Sequence, residues 1–220
     1  MNTELARFNM IEQQIRPWEV LDGAVLTLLG TVRREDFVPP GQRALAFVDM
    51  QVPLPGGECM LEPRVEARLL QELQMQRQEK VLEIGTGSGF MAALLAHRAQ
   101  QVLTLECQPA LAQLARTSLA RNGVGNARVV EVAAAEGACG LPAEAPFDAI
   151  VLSGSVAEVP RALLEQLKTG GRLIAIVGEQ PIMRARLYTR AGAAAWSQVD
   201  LFDAVAPRLL GFAEAPRFSF

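Results

Sequence analysis

The chain has 220 residues, half of them apolar, with 21 Lys and Arg against 24 Asp and Glu and a formal net charge of -3. That is enough for a full hydrophobic core, and the charge balance, with no long basic run, excludes the electrostatic footprint of a nucleic-acid or anionic-membrane binder. Three scattered cysteines, Cys59, Cys107 and Cys139, and the single histidine His97 supply neither a disulfide framework nor a zinc cluster, so no metal is expected.

The opening "MNTELARFNMIEQQIR" lacks the apolar core and cleavage site of a secretory signal, and no apolar run reaches membrane-spanning length, so a cytoplasmic protein is expected. Two helical patterns follow each other, "TELARFNMIEQQIR" and "EVLDGAVLTLLGTV", and the small basic pair Arg33-Arg34 after them reads as solvated surface. Next comes "FVPPGQRALAFVDMQVPLPGGECMLEP", rich in Pro and Gly but too ordered-looking for a linker. Residues 1–78 are therefore expected to form a cap or substrate-contacting extension on an α/β core at 79–220, within a single domain.

From Glu79 onward, strand-like and helix-like segments alternate, which predicts a mostly parallel, doubly wound sheet. Strands are expected at "KVLEI", "QVLTLE", "ARVVEV", "FDAIVLS" and "GRLIAIV". "PALAQLARTSLARNG" reads as a helix with Pro109 in its first turn and Gly123 at its C-terminal cap, and "VPRALLEQLKTGG" repeats the pattern. "MRARLYTRAGAAAWSQVDLFDAV" reads as an antiparallel edge hairpin turning near Gly192, and "APRLLGFAEAPRFSF" as a segment that covers the pocket, pairs with a sheet edge or meets a second copy.

The segment with most chemistry is "VLEIGTGSGF", a strand running into a glycine turn and a helix. A dinucleotide fingerprint needs glycine at its sixth position, where Phe90 stands, and a phosphate loop needs Lys followed by Ser or Thr, where Phe90-Met91 stands. What remains is G-x-G-x-G after an acidic residue, Glu83, suited to a phosphate-free ligand with a cationic amino acid end, such as S-adenosyl-L-methionine. Glu106, ending the second strand, is placed to accept from ribose hydroxyls; Glu136, past the third, is a candidate for the adenine amino group; Glu83 is a candidate for the methionine ammonium, directly or through water.

With "MIEQQIR", "REDFVPPGQRALAFVDMQVPLP", "VLEIGTGSGF" and "APFDAIVLSGSVAEVPRALLEQLKTGGRLIAIVG", the chain resembles the protein-L-isoaspartate O-methyltransferase family. The resemblance implies a Rossmann-like methyltransferase fold and a methyl transfer from S-adenosyl-L-methionine to a carboxylate of damaged protein, leaving S-adenosyl-L-homocysteine. It implies cofactor contacts by Gly85, Gly87, Ser88 and Gly89 around the methionine, Glu106 at the ribose, and Glu136 with Gly137 at the adenine; Thr86 in the same turn, Cys107 as a small apolar filler beside the ribose, and Ser153 on the fourth strand are expected at the cofactor site with them. The family's Gly-Asp-Gly is Ala135-Glu136-Gly137 here.

The larger departure lies in "GECMLEP", where the family has Gln-Thr-Ile-Ser-x-Pro, with a serine that orients the acceptor carboxylate. Aligned on Pro63, that serine is Leu61, and the threonine and isoleucine before it are Cys59 and Met60. An ionised acceptor needs alignment more than a general base, so a weakened activity is expected, on the order of tenfold to a hundredfold below that of a serine-bearing relative. The drier pocket also admits a second expectation, a different acceptor such as a small molecule, and a third, a catalytically silent S-adenosylmethionine-binding protein. Met60 and Leu61 as plain core residues form the simplest alternative to any acceptor role.

Overall fold

Strands apolar on both faces must be covered on both sides, and the runs from Lys80 onward are of that kind. The computed structural model describes residues 2–214. Helices α1 (Thr3–Met10) and α2 (Gly23–Thr31) come first, then a two-strand hairpin, β1 (Val52–Pro53) and β2 (Cys59–Met60), and helix α3 (Pro63–Leu73). The alternating part follows as β3 (Lys80–Ile84), α4 (Phe90–Ala96), β4 (Gln101–Glu106), α5 (Pro109–Arg121), β5 (Ala127–Glu131), α6 (Ala134–Gly137), β6 (Phe147–Val156), α7 (Arg161–Glu165) and β7 (Leu167–Glu179), closed by β8 (Ile182–Gly192) and β9 (Ala195–Asp203).

Seven strands form one sheet in the order β5-β4-β3-β6-β7-β8-β9. The first five are parallel to their neighbours, and β8 and β9 add antiparallel at one edge, which is the predicted doubly wound arrangement with its hairpin. The order reverses at β3, between β4 and β6, so the ligand crevice of such a sheet falls beyond the carboxyl end of β3.

The two faces are covered unequally. Val81, Val102, Ala149, Val151 and Ile174 face a large core that also takes Met10 of α1, Val25 of α2, Leu69 of α3, Leu94 of α4 and Leu111 of α5. Leu82, Leu103, Ile150, Leu152 and Leu173 face a smaller core closed by Leu163 of α7 and Phe147. The N-terminal extension thus shares its core with the sheet. Among the described residues no helix is long and apolar enough to cross a membrane.

Local differences from the sequence pattern have local causes. The first helical pattern continues past α1 as a wider turn at Ile11–Ile15 and a tight one at Arg16–Trp18. The second starts only at Gly23, because Asp22 accepts from the Ala24 and Val25 N–H groups at 2.7 and 3.3 Å and caps the helix there. Helix α7 ends early, since the Gln166 side chain is held by Leu141 N and Cys139 O and Leu167 already pairs with Phe147. The edge hairpin reverses at 193–194, with Gly192 paired to Ala195 rather than turning. Helix α3 is an element the sequence reading lacks, although Val65, Leu69, Leu70 and Leu73 bury a stripe at helical spacing behind Pro63.

Candidate active site

Side chains on a strand alternate, so Glu83, Thr104 and Glu106 emerge on one face, the face covered by the N-terminal extension, and Glu83 stands in register with both Thr104 and Val151. After β3 the chain turns through Gly85 at φ +92°, and the Gly85 and Thr86 N–H groups donate to Leu105 O at 3.0 and 3.2 Å, fastening the turn to β4. Glu106 completes the fastening. Its Oε2 accepts from Gly87 N at 2.9 Å, and its Oε1 accepts from Cys107 N and Gln108 N at 2.9 and 3.0 Å. Three backbone donors therefore fix one carboxylate at the floor of a cleft of ≈ 560 Å³.

That cleft has an apolar part, made by Leu105, Leu111 and Val132 with Ala134 and Gly137 of α6, and a polar part at Glu58, Cys59, Gly85 and Ser153. A smaller cavity adjoins the polar part and shares Cys59, Gly85, Gly87 and Ser153 with it; Met60, Leu61, Glu66 and Glu83 line the rest. Glu83 is fully buried, and accepts from Ser153 Oγ and Thr104 Oγ1, both at 2.7 Å. Burial pushes its carboxyl up to about 8, against the pull of those two hydroxyls. Glu66 is pushed up to about 7 by burial, with Arg34 pulling the other way.

Arg34 corrects the expectation of a solvated basic pair. Arg33 is exposed, but Arg34 is only 1 % exposed, pairs with Glu66, donates to Leu61 O at 2.7 Å and lies over the Phe90 ring at 4.9 Å. The guanidinium thereby holds the β2-to-α3 connection that carries Leu61. On the other side of Cys59, the Gln51 amide bridges three segments: its Oε1 accepts from Cys59 Sγ at 3.4 Å, and its Nε2 donates to Val205 O at 3.0 Å and to Glu62 Oε1 at 3.4 Å.

The segment after β9 forms the remaining wall. Ser155 N donates to Pro207 O at 2.7 Å and Leu209 N donates to Ser155 O at 2.9 Å, so 207–209 runs beside the tip of β6 in the slot beyond the end of β3. Arg208, Leu209 and Leu210 line the cleft from there. The described part of the C-terminal segment thus both covers the pocket and pairs with a strand; residues 215–220 lie outside the described residues.

The model of the family described as Protein-L-isoaspartate(D-aspartate) O-methyltransferase matches residues 6–201. The chain belongs to this methyltransferase family. A protein-L-isoaspartate O-methyltransferase of Koribacter versatilis is 37 % identical over 207 residues, 94 % of this chain and 91 % of that one, and one of Methanoculleus marisnigri is 41 % identical over 172 residues, 78 % and 77 % of the two chains. In fold, the chain is similar to the crystal structure of a Plasmodium falciparum beta-aspartate methyltransferase in complex with S-adenosyl-L-homocysteine, with a TM-score of 0.79 at 19 % identity over 96 % of this chain and 99 % of that one.

In this family member Gly85, Gly87, Glu106, Cys107, Gly137 and Ser153 come together around the large cleft, and Glu83, Thr86, Ser88, Cys59, Met60 and Leu61 around the small cavity beside it. Two expected cofactor residues stand elsewhere. Gly89 has a φ of +85° that favours glycine, and a Cβ there would crowd Ala115 Cβ at 3.2 Å, so it serves the close packing of α4 on α5. Glu136 is exposed and turns back to accept from Ala133 N at 3.1 Å, closing the first turn of α6, while Ala134 and Gly137 face the cleft.

Neither cysteine near the cleft is a thiolate. Burial, followed by the charges of Glu62 and Glu58, pushes Cys59 up to about 11, and burial followed by Glu106 raises Cys107. His97 is exposed at the end of α4. The sequence reading missed Arg34, Gln51, Glu58, Glu66 and Arg208; the first two lie inside the family-like block "REDFVPPGQRALAFVDMQVPLP", which was the available signal for them.

Proposed function

We propose that this chain transfers the methyl group of S-adenosyl-L-methionine to a carboxylate of a damaged aspartyl residue in a protein or peptide. The observation that carries the reading is Glu106, a carboxylate held by three backbone N–H groups at the floor of an apolar cleft. Such a group suits the paired hydroxyls of a ribose, and with Glu58 beside it repels a pyrophosphate. The apolar part of the cleft would hold the adenine, and Gly85 and Gly87 the methionine chain, with Glu83 within reach of its cationic end.

The reaction needs little proton chemistry. An acceptor carboxylate oxygen attacks the methyl carbon in line, the carbon–sulfur bond breaks, and the sulfonium leaves as the neutral thioether of S-adenosyl-L-homocysteine. The protein's task is to align the two and to keep water away, and Met60 and Leu61, each 4 % exposed, give the small cavity a dry wall. Incubation with methyl-labelled cofactor and an isoaspartyl peptide should give a base-labile methyl ester. Bound cofactor with no ester above background would refute the damaged-protein acceptor.

One observation favours a second acceptor class: no hydroxyl stands at Cys59, Met60 or Leu61, so that stretch of the cavity wall offers little to an ionised peptide group, and the hydroxyls that line the cavity are those of Thr86, Ser88 and Ser153 on other segments. A small molecule is the alternative, and transfer of label to a metabolite extract without transfer to the peptide would select it. Transfer to either acceptor excludes a silent binding protein.

A further inference from the structure

Arg208 is the only Lys or Arg among the described residues that line the large cleft. Its backbone is fixed between the Pro207 and Leu209 hydrogen bonds to Ser155, and Ser155 Oγ also donates to Ala206 O at 2.8 Å. Its Nε faces the mostly exposed Glu214 at 3.4 Å. Its Nη1 is shut off from solvent and has no hydrogen-bond acceptor among the described residues. A buried guanidinium N–H without an acceptor is destabilising, and its natural complement is a carboxylate.

The carboxylates in the cleft do not supply that complement. Glu106 has both oxygens engaged by backbone N–H groups, Glu58 accepts from Gln108 Nε2 at 2.9 Å, and neither reaches Arg208 Nη1. We propose that the Arg208 guanidinium forms a carboxylate subsite of the cleft, able to hold the acceptor in place of the hydroxyl that Leu61 lacks. The inference rests on the methyltransferase reading for its ligands. Two ligands of that reaction carry a carboxylate, the acceptor as its reacting group and the cofactor at its amino acid end, and the subsite chemistry is the same for both.

Calorimetry on the full chain and on the Arg208→Met and Arg208→Lys variants separates them. Each carboxylate probe is paired with its carboxylate-free counterpart: S-adenosyl-L-homocysteine with methylthioadenosine, and an isoaspartyl peptide with the same peptide bearing asparagine. Arg208→Met is expected to weaken one carboxylate probe about tenfold to a hundredfold and leave its counterpart unchanged, with Arg208→Lys restoring part of the loss. Loss on the peptide assigns the subsite to the acceptor, and loss on S-adenosyl-L-homocysteine assigns it to the cofactor. Equal affinities of wild type and Arg208→Met for both carboxylate probes would overturn the subsite. Should wild type bind no nucleoside, the methyltransferase reading falls instead, and succinate titrated against chloride decides the subsite alone: a rise in Tm lost in Arg208→Met supports it, and no difference overturns it.

Discussion

The two sides of the cleft are built on different principles. On the β4 side Glu106 has both oxygens engaged by the chain's own backbone, and the turn it holds is fastened again through Leu105 O. On the other side, where the segment after β9 meets β2, a polar atom is buried without a partner: Arg208 Nη1 has none among the described residues. A wall whose groups satisfy one another fits a ligand of fixed shape. A wall that leaves a donor unmatched requires its ligand to bring the acceptor.

The sharpest way to break the β2 side is Arg34→Met, which strands Glu66 in the core. Removing one member of a buried ion pair costs roughly 3–5 kcal/mol, so the urea midpoint should fall steeply, and adding Glu66→Leu should recover most of the loss. Next in size, Glu106→Ala should raise the Kd for S-adenosyl-L-homocysteine about tenfold to a hundredfold by calorimetry, with peptide selectivity unchanged. An unchanged Kd would place the fixed wall elsewhere. Smaller again, Leu61→Ser should raise kcat/KM for an isoaspartyl peptide about tenfold while the cofactor Kd stays constant.

The last effect is a slope against pH. Glu83 has its pKa raised from 4.5 to about 8 on folding, so between those values the folded protein holds a proton that the unfolded chain has lost. Stability therefore falls as pH rises from about 4.5 to about 8, and Glu66 acts in the same sense between about 4.5 and 7. Glu83→Gln should flatten the curve of unfolding free energy against pH; a curve as steep as that of wild type would remove Glu83 as its source.

What the sequence made legible was local. The strands β3 to β7 read as apolar runs because both their faces are buried, and Glu83 and Glu106 were visible because carboxylates at strand ends are conspicuous among such runs. Arg34 was illegible because what buries it, Glu66 and the Leu61 carbonyl, lies about thirty residues on, beyond any periodic signal. Glu136 illustrates the opposite case: a short-range bond to Ala133 N competes with any ligand for its carboxylate. Arg208 came from a segment whose position depends on Ser155 and could not be read from its own residues.

A methyl group added to Gly85 would come within 2.7 Å of the Leu209 side chain, and one added to Gly154 within 2.8 Å of the same atom. Positions 85, 154 and 209 are thus a single steric decision distributed over three distant places in the chain. In any relative with this layout, a side chain at either glycine requires the residue at 209 to turn aside or shorten, while the φ of +92° at Gly85 and the Pro207 carbonyl beside Gly154 hold the two positions to glycine in addition.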